Sequence, residues 1–177
     1  MPVAVLDTSV LVPVWSRLVL QRLAAAPRPW LQPVWSEWII AETWRVLTWR
    51  WLTMRGPVDE VLLTQSANQM LRRLLQVMRC VSLYGIVGAT PWPGLRDAED
   101  APIWATAVAA RAQYVISHNT TDFPPLIEGR HAYHGIEYLT AIEFIEDVLG
   151  LDAEELYGRP LPAGGSVRSR RVRRATQ

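Results

Sequence analysis

Apolar positions run unbroken from Val3 to Leu6 and then stop at Asp7. A short continuous apolar run suits a strand covered on both faces, as in a parallel sheet. Residues 10 to 25 read as a first helix and its connection, and residues 29 to 34 as a second short strand. Ser36 can cap a helix running to about residue 52. A further helix is expected over about residues 58 to 79, on the apolar positions Val61, Leu62, Leu71, Leu74, Leu75 and Met78. The Gly- and Pro-rich segment GIVGATPWPGL reads as a loop, and Asp97 opens another helix that continues through WATAVAARA. QYVIS (113 to 117) and GIEYL (135 to 139) are predicted strands. Thr140 with Glu143 three positions on forms a capping box for the helix AIEFIEDVL.

The predicted order is β-α-β-α-α-α-β-loop-β-α. Strands that alternate with helices and form no hairpins argue for a parallel α/β sheet with right-handed crossovers. The pattern decays beyond Gly150, so the expected organisation is one domain over residues 1 to 150 and an extension over 151 to 177, loose from Pro160 onward. A chain of 177 residues is long enough for one well-buried domain and short for two.

Composition changes this picture little. Half the residues are hydrophobic and nine are Trp, which excludes disorder except at the end. Cys80 is the only cysteine, so no internal disulfide or cysteine-rich zinc site forms. It is expected to be a small buried hydrophobe. No stretch approaches the roughly 20 apolar residues needed to span a bilayer. Asp7 also interrupts the N-terminal run too early for a signal peptide, which makes the cytoplasm the expected location.

Charge changes it more. The net charge is +1, every one of the 18 basic residues is Arg, and five of them (Arg168, Arg170, Arg171, Arg173 and Arg174) fall in the last ten positions. Without them, 13 Arg face 17 acids. The folded part is therefore mildly acidic, and the end SVRSRRVRRATQ is a basic arm. Such an arm suits nucleic acid or an acidic partner, and equally a solvated terminus.

Against this background a few acids stand out. Asp7 ends the first strand, at the carboxyl edge where open parallel sheets bind ligands. Alone it reads as a helix cap. Glu42 lies within an apolar stripe made by Trp38, Ile39, Val46 and Trp49, where a carboxylate is costly to bury unless paired or bound to a metal. Arg45, three positions on, is the plain salt-bridge alternative. Trp44 and Trp51 make the same helix apolar nearly all round, which suggests a partner as well as a core. Asp97 and Asp100 open a helix, where acids are favoured by the dipole whatever the function. That explanation is weaker for Asp100, which leads directly into the apolar face. In VISHNTTDF a strand ends in Ser117, His118, Asn119, Thr120, Thr121 and Asp122, which singly are turn residues.

These groups can converge on one crevice. There is no Lys, and His118, His131 and His134 are confined to loops, so triad or paired-His mechanisms find little support. Clustered carboxylates are hard oxygen ligands, which select Mg²⁺ or Mn²⁺ over zinc.

The stretches VLDTSVL, SEWIIAETWRVL, DAEDAPIWATAVAARAQYVISHNTTDF and GIEYLTAIEF, in that order, resemble the PIN-domain ribonucleases, particularly the VapC-like toxins of bacterial toxin–antitoxin pairs. The resemblance covers about residues 1 to 149. It implies a three-layer α/β/α sandwich with a central parallel sheet. It also implies metal-dependent endonucleolytic cleavage of RNA by a metal-bound water. Carried over, it makes Asp7, Glu42 and Asp100 the metal-binding acids, with Thr8 and Ser9 at the hydroxyl position beside the first. Asn119 stands where many members have Asp, with Asp122 three residues on as a further acid. Asp97 is an outer candidate.

Two readings follow. The first is a Mg²⁺- or Mn²⁺-dependent endoribonuclease, a homodimeric toxin silenced by a cognate antitoxin. The second is a PIN-like RNA- or protein-binding module with little or no turnover. A phosphatase of the haloacid dehalogenase type fits poorly, because it wants a second Asp where Ser9 stands and a downstream Lys.

Overall fold

A computed structural model describes residues 1 to 55, 59 to 84 and 97 to 158. Its centre is a seven-stranded sheet in the order β3-β2-β1-β4-β7-β6-β5. The strands are β1 (Val3–Leu6), β2 (Gln32–Ser36), β3 (Arg79–Val81), β4 (Tyr114–Ile116), β5 (Leu126–Ile127), β6 (Arg130–Tyr133) and β7 (Ile136–Leu139). β3, β2, β1, β4 and β7 run parallel. Helices flank the sheet in the expected three-layer α/β/α arrangement. They are α1 (Thr8–Leu11), α2 (Val14–Ala25), α3 (Glu37–Arg55), α4 (Glu60–Leu75), α5 (Ala101–Ala110), α6 (Ala141–Glu143) and α7 (Ala153–Tyr157).

β1 is the pivot. The chain passes from it to β2 on one side, while β4 pairs on the other, Val5 with Val115 and Leu6 with Ile116. The strand order therefore reverses beside β1, and the crevice past the carboxyl ends of β1 and β4 is the place where such sheets take ligands. Ala4, Val5, Val34, Trp35 and Ile116 are all fully or almost fully buried, as the apolar run at residues 3 to 6 requires.

Sequence and structure part in several places. Pro13 divides the first helical stretch into α1 and α2. β3 begins at the C-terminal end of the segment expected as helix, and the second strand starts three residues and ends two residues later than predicted. The expectation of no hairpins fails: β5, β6 and β7 form an antiparallel meander. Its turns are Glu128-Gly129 and His134-Gly135, with positive φ at both residues of each, the mirror-image geometry that matches strand twist. Cys80 is exposed on β3 rather than buried.

Other local signals hold. Thr140 and Glu143 close the capping box, the Thr140 N–H donating to Glu143 Oε2 at 2.8 Å. The helix after it continues into a π turn over Phe144–Val148. Beyond Gly150, Asp152 caps α7, whose Ala153 is fully buried, so the fold uses residues past the point where the pattern weakens. The expected loop GIVGATPWPGL, the tail from Pro160 and the arginine arm lie outside the described residues.

Candidate functional site

Asp7 is held rather than merely placed. It follows β1 and its N–H donates to the Ile116 carbonyl at 3.1 Å, which continues the β1–β4 ladder by one residue. It occupies the cap position of α1, yet its side chain makes no cap bond. Instead Oδ2 accepts from the Ser9 hydroxyl at 2.6 Å and from the Ser117 hydroxyl at 2.8 Å. The two hydroxyls are themselves 3.1 Å apart. The backbone N–H of His118 donates to Ser9 Oγ at 2.9 Å and that of Asn119 to Ser117 Oγ at 3.0 Å. With 6% of its surface exposed, Asp7 is a buried acid satisfied by two charge-assisted hydrogen bonds.

The neighbouring Thr8 serves a different acid. Its hydroxyl donates to Glu42 Oε2 at 2.8 Å and meets Thr43 Oγ1 at 3.2 Å. Residues Ile39, Thr43 and Leu47 form the buried seam of α3, and Glu42 sits half-buried beside it. Trp49, expected in that stripe, is 65% exposed. Arg45 lies 3.9 Å from Glu42 with its side chain 73% exposed, a weak pair at best. Burial first, then the charges of Asp7 and Glu99, push the Glu42 carboxyl above its ordinary range despite the Thr8 bond and Arg45.

Asp97 and Asp100 separate cleanly. Asp97 caps the 3₁₀ turn Ala98–Asp100 by accepting from the Glu99 N–H at 2.8 Å, the ordinary helix-start role. Asp100 makes no such cap bond. Burial, and then the charges of Asp7, Asp122, Asp97 and Glu42, raise its carboxyl to about 7. That list of neighbours is the clearest sign that remote segments bring their acids to one place.

Asn119 and Asp122 bracket the other rim. The Asn119 side-chain amide donates to Asp122 Oδ2, and Thr121 donates to Asn119 Oδ1 at 2.7 Å. Asp100, Ser117, Asn119 and Asp122 line a shallow crevice whose apolar floor includes Ile103, Phe123 and Tyr138. Of the histidines, expected in loops, His118 follows β4, whereas His131 lies on strand β6 and His134 in the turn after it: the His131 ring bonds the Pro124 carbonyl at 2.6 Å and stacks edge-on with Phe123, while His134 tilts against Trp104.

Asp7 thus follows β1 and meets Ser117 after β4, Glu42 is bonded by the adjacent Thr8, and Asp100 and Asp122 line the same crevice as Ser117, while Asp97 serves as a turn cap. Ser117 and Tyr138 were not expected there as site residues. Ser117 occupies, after β4, the same register that Asp7 occupies after β1, a signal visible only once the two strands are known to be neighbours. The donor set of carboxylates and hydroxyls suits a hard divalent cation, and the mutual repulsion felt by Glu42 and Asp100 is what such a cation would offset. Among the described residues no three His, Cys, Asp or Glu side chains stand as a ready ligand set for a metal ion.

The family model of the PIN domain matches residues 3 to 121. Among solved structures, the crystal structure of VapBC2 from Rickettsia felis bound to a DNA fragment from their promoter is similar at 14% identity and a TM-score of 0.41. The match covers 67% of this chain and 89% of that one. No curated protein matches.

Proposed function

This chain belongs to the PIN-domain family, and from that premise we propose that it is a Mg²⁺- or Mn²⁺-dependent endoribonuclease, the toxin of a toxin–antitoxin pair. The observation that carries the reading is the convergence at the β1–β4 crevice: Ser117 bonds Asp7 and lines one crevice with Asp100 and Asp122, while Thr8, next to Asp7, bonds Glu42. In this reading Asp7, Glu42 and Asp100 hold the cation, with Asp122 at the rim. When bound, the cation supplies activated water and offsets charge at phosphorus.

The chain's own residues do the positioning. Ser9 and Ser117 fix one Asp7 oxygen and leave the other for a ligand. Thr8 fixes one Glu42 oxygen in the same way. The mildly acidic body repels RNA, so cation binding and substrate binding are coupled. Cleavage of structured RNA with and without EDTA, and by Asp7→Asn, tests this; cleavage that survives either treatment rejects the mechanism.

A second reading, a PIN-like module that binds without turnover, is favoured by Asn119, whose side chain is tied to Asp122 and Thr121 and brings no charge. Titration with Mn²⁺ separates the two. Binding without cleavage across RNA substrates supports the module.

The homodimer is proposed from α3, which exposes Trp44, Trp49, Leu52 and Met54. Sedimentation that finds only a monomer removes that part. Among the described residues no helix is long and apolar enough to cross a membrane, and the cytoplasm remains the proposed location. An antitoxin partner is likewise proposed, to be tested by co-purification with the product of a neighbouring reading frame.

A further inference from the structure

Tyr138 lies on β7 with 5% of its surface exposed, and its hydroxyl oxygen is buried without a hydrogen-bond partner among the described residues. A buried hydroxyl left unpaired is costly, so a plain core would favour Phe at this position. Its surroundings are not plain core. The ring stands edge-on to Phe123 at 5.8 Å, and the residue lines the same crevice as Asp100, Ser117, Asn119 and Asp122. A phenol carries its proton near neutral pH and so can donate to the ionised carboxylates that line the crevice.

The other two principal acids each have a hydroxyl donor: Ser9 and Ser117 for Asp7, Thr8 for Glu42. Among the described residues no hydroxyl donates to the Asp100 carboxylate. Carboxylates that hold a cation are themselves oriented by outer donors, and those donors are part of the affinity.

We propose that the Tyr138 hydroxyl is the missing donor of the set, a positioning residue that would hydrogen-bond the Asp100 carboxylate when a divalent cation is bound at this site. The inference rests on the metal-dependent reading above. It explains why an unpaired hydroxyl is kept in an otherwise apolar floor made by Ile103 and Phe123. The second buried polar atom without a partner, Trp35 Nε1, belongs to a fully buried residue on β2 and does not line this crevice.

The test is Tyr138→Phe in the full chain, titrated calorimetrically with Mn²⁺ alone and melted without metal. The expected result is a metal-free melting temperature that is unchanged or higher, with Mn²⁺ affinity lower by about 10-fold. Unchanged affinity overturns the proposal, whatever the melting temperature does. Adding Mg²⁺ to the wild-type chain gives a second measurement that needs no folded variant. A near-ultraviolet tyrosine difference signal is expected, and its absence overturns the proposal as well. A wild-type chain that binds no Mn²⁺ rejects the metal-dependent reading and this inference together; a wild-type chain that binds, matched by its variant, rejects this inference alone.

Discussion

The Ser117 hydroxyl donates to Asp7 Oδ2 at 2.8 Å across 110 positions of sequence. The backbone ladder already joins the ends of β4 and β1, and this bond adds a side-chain tie to it, so a candidate ligand's orientation depends on a residue from the far half of the domain. Ser117→Ala removes a donor to a buried carboxylate and leaves Ser9 as the remaining side-chain donor. The expected cost is about 1 to 2 kcal/mol in urea unfolding, accompanied by weaker Mn²⁺ binding. Full stability in the variant would mean that Ser9 alone satisfies Asp7.

That pairing also marks the limit of what the sequence discloses. The apolar run at residues 3 to 6 and the Thr140–Glu143 capping box are local patterns that local physics is enough to read, whereas Asp7, Glu42 and Asp100 each had a plain local explanation and were joined into one set by the resemblance to PIN-domain ribonucleases. Ser117 became legible only through strand order, because nothing near VISHN says that β4 lies beside β1. The meander was hidden for a different reason. Its turns use Glu128-Gly129 and His134-Gly135 instead of the Asn-Gly or Asp-Gly pairs that announce such turns. Trp49 was misassigned because α3 is apolar nearly all round, so periodicity could not choose its inner face; the buried seam runs instead through Ile39, Thr43 and Leu47.

Thr8 offers a test that isolates orientation from charge. Thr8→Val keeps the approximate shape of a buried residue and removes the hydroxyl that donates to Glu42 Oε2 and meets Thr43 Oγ1. Glu42, already raised by burial, loses the hydrogen bond that most opposes that rise. Mn²⁺ affinity is expected to fall about 10- to 100-fold, the usual effect of losing an outer donor to a ligand. Unaltered calorimetric affinity would show that Glu42 does not hold the cation.

The raised Asp100 carboxyl predicts how stability varies with pH. Its folded value is about 7 against an ordinary 3.8, so the folded state keeps the proton to higher pH than the unfolded state does. Between those two values the unfolded chain loses its proton first, and stability falls as pH rises. Below the lower value and above the upper one this group contributes no slope. Because the side chain is only half-buried, solvent screening limits the effect to on the order of 1 to 2 kcal/mol. Metal-free melts on either side of pH 7 check this, and Asp100→Asn is expected to flatten the curve. A wild-type profile that is already flat would show that the acids do not share a field.

Asp97 and Asp100, three positions apart at one helix start, are expected to respond in opposite ways. Asp97 accepts from the Glu99 N–H and so stabilises the turn that leads into α5. Asp97→Ala should cost about 1 kcal/mol, as loss of a helix-start cap usually does, with Mn²⁺ affinity close to wild type. Asp100 makes no cap bond and is repelled by four other acids. Asp100→Ala should therefore leave the metal-free protein as stable or more stable near neutral pH, while Mn²⁺ binding is lost. Destabilisation and metal loss are thus assigned to different members of one acidic stretch. If Asp100→Ala proved to be the destabilised variant and still bound Mn²⁺, Asp100 would be an ordinary helix-start acid, and the crevice would lose the residue on which its other acids converge.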